Sequence, residues 1–313
     1  MLLLVATNSV LGETKLGSSL GDTRAGIVTT AEEQAMGRAF VAAARGQMRF
    51  IDDPLLVNYI ETLGQRLAAG LNGDTDHLRF FLISNKLINA FAAPGGRLAV
   101  FTGLVLTTRT EAELASVMAH ELAHVAQRHL PRMMERARQR QLPATAGVLA
   151  AILLGGQAGA AAMAATSGAA LSDQLRYNRE YEREADALGL MILTGAGYPA
   201  SAMIDFLGRL DQENRLQAAG APEYLRTHPL TQNRLALVEG RLRQYPEFLF
   251  EPSLDYHHAR ARMSAVFGDD ADKVAGAFTH DMRSDNPVVA RAARYGQLLA
   301  QVQLGDHTTA AAN

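Results

Sequence analysis

The chain has 313 residues, 48% hydrophobic and 20% charged, a balance that suits a folded globular protein and excludes disorder as its main state. A net charge of −2 and only 6% aromatic residues exclude the basic field or stacking platform that a nucleic-acid partner would want. Cysteine is absent, which removes disulfides, thiol catalysis, thiolate metal ligands and a lipidated N-terminal Cys, so any metal must be held by His and carboxylates.

Residues 1–29 read as a signal remnant and linker. The apolar run Leu2 to Ala6, continued by Val10 and Leu11, is either the remnant of a secretory h-region without its basic flank or a frayed terminus. A Gly-, Ser- and Thr-rich stretch over 12–29 follows. Thr30 and Glu33 then predict a capping box, with Met36, Phe40 and Val41 at helical spacing behind it. Asp53 and Pro54 predict the start of a second helix that ends by Ala69, before Gly70. Residues 78–84 and 97–102 read as strands, separated by an extended stretch from Asn89 that turns at Pro94, Gly95 and Gly96.

The next helix is the most clearly marked. Thr110 caps it, Glu113 completes the box, Leu114, Val117, Met118 and Val125 form its apolar stripe, and Pro131 is expected to stop or kink it. An Arg-dense segment follows, with Arg128, Arg132, Arg136, Arg138 and Arg140 against Glu135. Residues 144–171 then carry no charge and are mostly Ala and Gly. Their length would span a bilayer, but Ala and Gly gain little on leaving water. Three readings follow: a membrane span, a hairpin on a lipid surface folded at Gly155 and Gly156, or plain packing against the domain. The Arg run would suit anionic head groups, so 128–171 is the candidate membrane-surface contact. Further helices fit 174–193, 200–217 and 232–243. Residues 251–313 form a C-terminal helical region, with three helical stretches over 254–302. The last, from Ala293 to Asp306, looks like the first helix of a tetratricopeptide unit, so the region would open such an array.

Chemistry concentrates in His120-Glu121-Leu122-Ala123-His124, an HExxH pattern inside the capped helix. Residues four apart on a helix differ by about 40° and one turn, so both imidazoles can meet one metal ion. Zinc suits such His and carboxylate ligands, one ion per chain. Glu121 is offset by about 100° and can reach the metal's water as general base. A third ligand is wanted, and Glu180, Glu182, Glu184 and Asp186 offer candidates. Glu182 and Asp186 face the same way, one to bind metal and the other to accept the N–H of a ligand His. Spacing alone does not separate Glu182 from Glu184. Glu180 and Glu184 otherwise read as a solvated face paired with Arg179 and Arg183. His129 lies about 140° from His124 on a continuous helix and does not read as a ligand.

These residues resemble a known family. The HExxH pattern, followed by Glu182-Arg183-Glu184-Ala185-Asp186, is similar to the HExxH…ExxxD signature of the HtpX-like zinc endopeptidases. Asn89 to Gly96 and Thr227-His228-Pro229 with Arg234 add to the likeness, which runs over roughly 30–250 and is strongest to the periplasmic BepA branch. The resemblance implies an α+β, mostly helical fold: a zincin-type metalloprotease domain over 30–250, with a small sheet beside the HExxH helix and a tetratricopeptide-like tail. It implies His120, His124 and Glu182 as zinc ligands, Glu121 as general base and Asp186 behind a ligand His. It places the substrate-binding edge on the strand around 97–102, with Asn89, Ala90 and Phe91 at that edge. His228, held extended by Pro229, would lie over the metal and keep the resting enzyme latent, or else His228 or Arg234 would stabilise the oxyanion.

The implied activity is endoproteolysis of unfolded or misassembled outer-membrane β-barrel proteins in the periplasm, near their assembly machinery and with chaperone-like assistance. Two alternatives stand beside it. One is a chaperone-like binding module with a latent zinc site. The other is a membrane-embedded HtpX-type protease, in line with the charge-free stretch between His124 and Glu182.

Overall fold

A computed structural model describes residues 28–71, 75–139, 168–216, 222–268, 270–305 and 310. Helix α1 (Thr30–Arg45) is capped by Thr29, one residue before the expected cap. Thr29 accepts from the backbone of Glu32, and the Glu32 side chain answers the Thr29 N–H. Glu33 is thereby released from capping. Its carboxylate accepts from the Gly95 N–H at 3.3 Å and from Arg128 at 3.1 Å. Helix α2 (Pro54–Ala68) begins as expected, with Asp53 accepting from Leu55 and Leu56. It buries Leu56, Ile60, Leu63 and Leu67.

Three strands form one sheet: β1 (Arg79–Ile83), β2 (Ala90–Ala93) and β3 (Arg97–Phe101), in the order β1-β3-β2. β3 runs parallel to β1 and antiparallel to β2. Being central, β3 offers no free edge, so that expectation for 97–102 is corrected; the outer strands are β1 and β2. The β2–β3 turn needs positive φ at Gly95 (68°) and Gly96 (72°), which glycine adopts at little cost. One face of the sheet, with Phe80, Leu82, Ala90, Leu98 and Val100, joins the main core. The other gathers Phe91, Ala93, Ala99 and Phe101 under Phe40 of α1.

After the short α3 (Thr102–Thr107) comes α4 (Glu111–Ala126), which carries the HExxH residues. Thr110 accepts from Glu113, but the Glu113 side chain takes the Arg109 N–H instead of that of Thr110. Every residue from Glu111 to Ala123 is buried, as expected of a helix clasped on all sides. It packs on α2, the sheet, α6 (Gly168–Gly195) and α7 (Ser201–Leu216).

The chain breaks at Arg128, whose φ of 52° lies in the left-handed region, and α5 (His129–Gln139) follows. Pro131 therefore does not stop α4. It sits in the first turn of α5, where its missing N–H costs nothing. The short α8 (Glu223–Thr227) and α9 (Gln232–Leu242) complete the walls of the site.

Three tail helices follow: α10 (Leu254–Phe267), α11 (Ala271–Asp281) and α12 (Pro287–Gln303). α10 is shared between two cores. Tyr256, Ala259 and Met263 join the main one, while Ala261 and Ala265 join a small cluster with Phe278, Ala293 and Ala300. Tyr256 donates to the Thr108 carbonyl at 2.6 Å, and Arg262 pairs with Asp53 at 2.7 Å, so the tail docks on the body of the domain. The observed trio does not establish a tetratricopeptide unit.

No helix among the described residues is long and apolar enough to cross a membrane. Most of the charge-free stretch, 144–167, and the N-terminal 1–27 lie outside the described residues, and the membrane and export readings fall there.

Candidate metal centre

Four donors converge where α4, α6 and the residue after α8 meet: His120, His124, Glu182 and His228. Nε2 of His120 lies 3.1 Å from Nε2 of His124 and 3.3 Å from Glu182 Oε2. Glu182 Oε1 lies 3.3 Å from His124 Nε2 and 2.9 Å from His228 Nδ1, which is 3.4 Å from His120 Nε2. A tetrahedral zinc with bonds of about 2.0–2.1 Å would set its ligand atoms about 3.3–3.4 Å apart. The donor set fits such an ion in chemistry, and its ligand atoms lie within 4.8 Å of one another, close enough to converge on one ion. Oε2 of Glu182 and Oε1 of Glu121 are buried and make no regular hydrogen bond among the described residues, although Arg234 Nη1 lies 2.7 Å from the first and His228 Nε2 3.3 Å from the second.

Glu121 projects beside this cluster, its Oε1 3.3 Å from His228 Nε2. Burial pushes its carboxyl above the ordinary carboxylate value, against the pull of His228, His120 and the Ala92 backbone N–H. Glu182 behaves oppositely. Burial would raise it, but His228, Arg234 and His120 hold it well below the usual range, hence anionic.

His120 turns its other nitrogen outward from the cluster. Nδ1 lies 3.1 Å from Asp186 Oδ1, and Arg234 grips Asp186 through Nε at 2.6 Å and Nη2 at 2.8 Å. Nη1 of Arg234 also lies 2.7 Å from Glu182. Arg234 is 3% exposed and behind the ligands. His228 is set by local geometry. Its N–H caps the end of α8 on the Tyr224 carbonyl, and its ring stacks on Tyr224 with centroids 4.7 Å apart. Tyr224 is anchored in turn through its N–H to the Ile88 carbonyl just before β2.

The cleft over the cluster is lined on one side by Phe91, Ala92 and Ala93 of β2 and on the other by Leu130, Met133 and Tyr181. Of the three residues expected at the substrate edge, Phe91 lines the cleft. Asn89 and Ala90 are fully buried, and the Asn89 amide has no partner among the described residues.

Residues 54–242, more than half of the chain, match the profile of peptidase family M48. The chain belongs to peptidase family M48. It is 40% identical over 305 residues to a putative beta-barrel assembly-enhancing protease of Vibrio cholerae, covering 96% of this chain and 62% of that protein. It is 36% identical over 299 residues to the beta-barrel assembly-enhancing protease of Escherichia coli K12, covering 94% and 60%. A mitochondrial metalloendopeptidase OMA1 of Schizosaccharomyces pombe is 30% identical over 188 residues, covering 58% and 51%. The chain thus spans about three fifths of the length of its bacterial relatives.

Within this M48 domain, sequence reasoning missed two residues behind His124. His129 lies with Nδ1 2.8 Å from His124 Nδ1, and its Nε2 lies 3.1 Å from Glu184. Burial holds the His129 imidazole down at about 4, so it is neutral. Glu184 is not the solvated partner of Arg179 and Arg183; it binds His129 and, at 2.9 Å, Arg132. The angle argument that set His129 aside assumed one continuous helix, and the break at Arg128 removes that assumption. Pro131, two residues after His129, was the available signal, because it marks the first turn of a new helix.

Proposed function

We propose that this chain is the catalytic part of a zinc-dependent endopeptidase. In this reading it cleaves unfolded or misassembled outer-membrane β-barrel proteins in the periplasm, beside the machinery that assembles them. The observation that carries the hydrolytic reading is the convergence of His120, His124, Glu182 and His228, whose ligand atoms lie within 4.8 Å of one another, with Glu121 buried alongside. The substrate class is supported by its bacterial relatives, which are named as beta-barrel assembly-enhancing proteases. It is also supported by the position of β2, which among the described residues pairs with β3 alone. An extended, unpaired strand of a stalled barrel could add to that free edge, and backbone hydrogen bonds would hold it regardless of sequence.

Zinc held by His120, His124 and Glu182 supplies the Lewis acidity that activates water near neutral pH and polarises a carbonyl. Glu121 takes the proton of the attacking water and delivers it to the leaving amine. Its raised pKa suits this two-way role, and Ala92 of the edge strand lies against it. Asp186 accepts the Nδ1–H of His120 and so fixes which nitrogen faces the metal. Arg234 holds Asp186 and Glu182 in register from behind. His228 would supply a fourth ligand in the described conformation, which we read as the latent state, and it would then have to swing aside for hydrolysis.

The test is incubation of an unfolded outer-membrane β-barrel protein with the wild-type chain and with Glu121→Gln, zinc content measured in both. The expected result is one zinc in each and cleavage at least about 100-fold slower in the variant. Equal cleavage would remove Glu121 as the base. No cleavage by wild type or by His228→Ala, with zinc bound in both, would replace the peptidase with a binding module.

A further inference from the structure

We propose that His129 is a positioning residue for the metal ligand His124, and that it links this ligand to Glu184 and Arg132 through one directed chain of hydrogen bonds. The inference rests on the metal-site reading above. Nδ1 of His129 and Nδ1 of His124 lie 2.8 Å apart, so one must donate to the other. A histidine that offers Nε2 to a metal keeps its proton on Nδ1. His124 therefore donates, and His129 accepts at Nδ1. The His129 proton must then sit on Nε2, which is the nitrogen 3.1 Å from Glu184 Oε2. Arg132 Nη1 donates to the same oxygen at 2.9 Å. One assignment of protons satisfies every contact.

The surroundings lock this arrangement. The His129 ring is 2% exposed and stacks on Tyr181, with centroids 4.4 Å apart and planes 24° from parallel. The Arg132 guanidinium lies over the other ring of that stack, 4.7 Å from the Tyr181 centroid. The left-handed turn at Arg128 is what folds His129 back against α4.

The two ligand imidazoles are thus held by different chemistry. His120 meets a carboxylate directly, whereas His124 meets a neutral imidazole with the carboxylate one step further out. The intervening ring orients His124 without adding a further carboxylate beside Glu182, Glu121 and Asp186. The positioning residues come from two elements that converge on α4: α5 gives His129 and Arg132, and α6 gives Glu184.

The experiment measures zinc dissociation constants by chelator competition for the full chain and three variants, with melting of the chelator-stripped forms as a readout of folding alone. In His129→Asn the side-chain oxygen can replace Nδ1 as acceptor. His129→Leu should weaken zinc binding by about 10- to 100-fold, and His129→Asn should recover most of the loss. Glu184→Ala, a change at a half-exposed side chain, should weaken binding by about 3- to 10-fold. Unchanged zinc affinity in His129→Leu, or equal losses in Leu and Asn, would overturn the proposal. Should His129→Leu fail to fold, unchanged affinity in Glu184→Ala would overturn it. A wild-type chain that takes up no zinc would instead overturn the metal-site reading on which it rests.

Discussion

Arg234 closes on Asp186 through two hydrogen bonds, 2.6 Å from Nε and 2.8 Å from Nη2, on the side of His120 that faces away from the donor cluster. A planar guanidinium matches a carboxylate in this way and an ammonium does not. Arg234→Lys and Arg234→Met should therefore behave alike. Both leave Asp186 and Glu182 as buried anions without their fork. Each should cost about 3–5 kcal/mol in urea denaturation and weaken zinc binding in chelator competition. Lysine restoring wild-type values would show that charge alone matters there.

His228 gives a prediction of opposite sign. His228→Ala vacates the fourth corner while leaving His120, His124 and Glu182 in place. Zinc should remain bound, and cleavage of an unfolded polypeptide should rise several-fold over wild type if the described arrangement is latent. An unchanged or lower rate with zinc still bound would argue that His228 serves the reaction instead of blocking it.

Asp53 offers a pH test remote from the metal. Burial would raise its carboxyl, but the bond from Arg262 and the N–H groups of Leu56 and Leu55 lower it below the ordinary value. A carboxyl lowered on folding contributes stability above its unfolded pKa, and that contribution disappears as pH falls through its folded pKa. Asp53→Asn keeps the helix cap but loses the Arg262 charge pair. It should be less stable than wild type by about 1 kcal/mol at pH 7. The difference should begin to shrink as pH falls below 3.8, the ordinary value from which Asp53 is lowered, and should vanish only below its lower folded pKa. Urea denaturation from pH 7 down through the acid range checks this, and a gap that does not shrink as pH falls below 3.8 would refute it.

Two helical glycines should respond in opposite ways to alanine. A Cβ on Gly64 would lie 2.4 Å from the Phe80 ring, whereas one on Gly208 meets nothing within 4 Å. Gly64→Ala should cost about 1–3 kcal/mol, and Gly208→Ala should gain about 0.5–1 kcal/mol from helix propensity. Thermal melting of the two variants distinguishes these outcomes.

Much of this architecture is legible in the sequence wherever a local rule applies. Asp53 before Pro54 and Thr110 before Glu113 mark helix starts that the structure reproduces, because capping depends on neighbours only. The HExxH residues come together because one helical turn puts His120 and His124 on a common side. Thr29 and Thr30 show the limit of such rules. Both precede a Glu by three, and what separates them is distant: Glu33 is engaged by Gly95 and Arg128, leaving Glu32 to answer Thr29. The strand order is likewise non-local. Nothing in residues 97–101 reveals that β3 is flanked on both sides and has no free edge. His129 and Glu184 were missed for a third reason. A single positive φ at Arg128 redirects every side chain after it, and an angular projection cannot anticipate that.

Helix α6 carries Glu182, Glu184 and Asp186 within five consecutive positions: Glu182 meets His120, His124 and His228, Glu184 meets His129, and Asp186 meets the far nitrogen of His120. A shift of that helix along its axis would disturb all these contacts at once. Metal uptake and the seating of α6 against α4 therefore form a single thermodynamic step. Ion concentration acts on the tertiary packing of this domain by mass action, so a starved chain would loosen first along that seam.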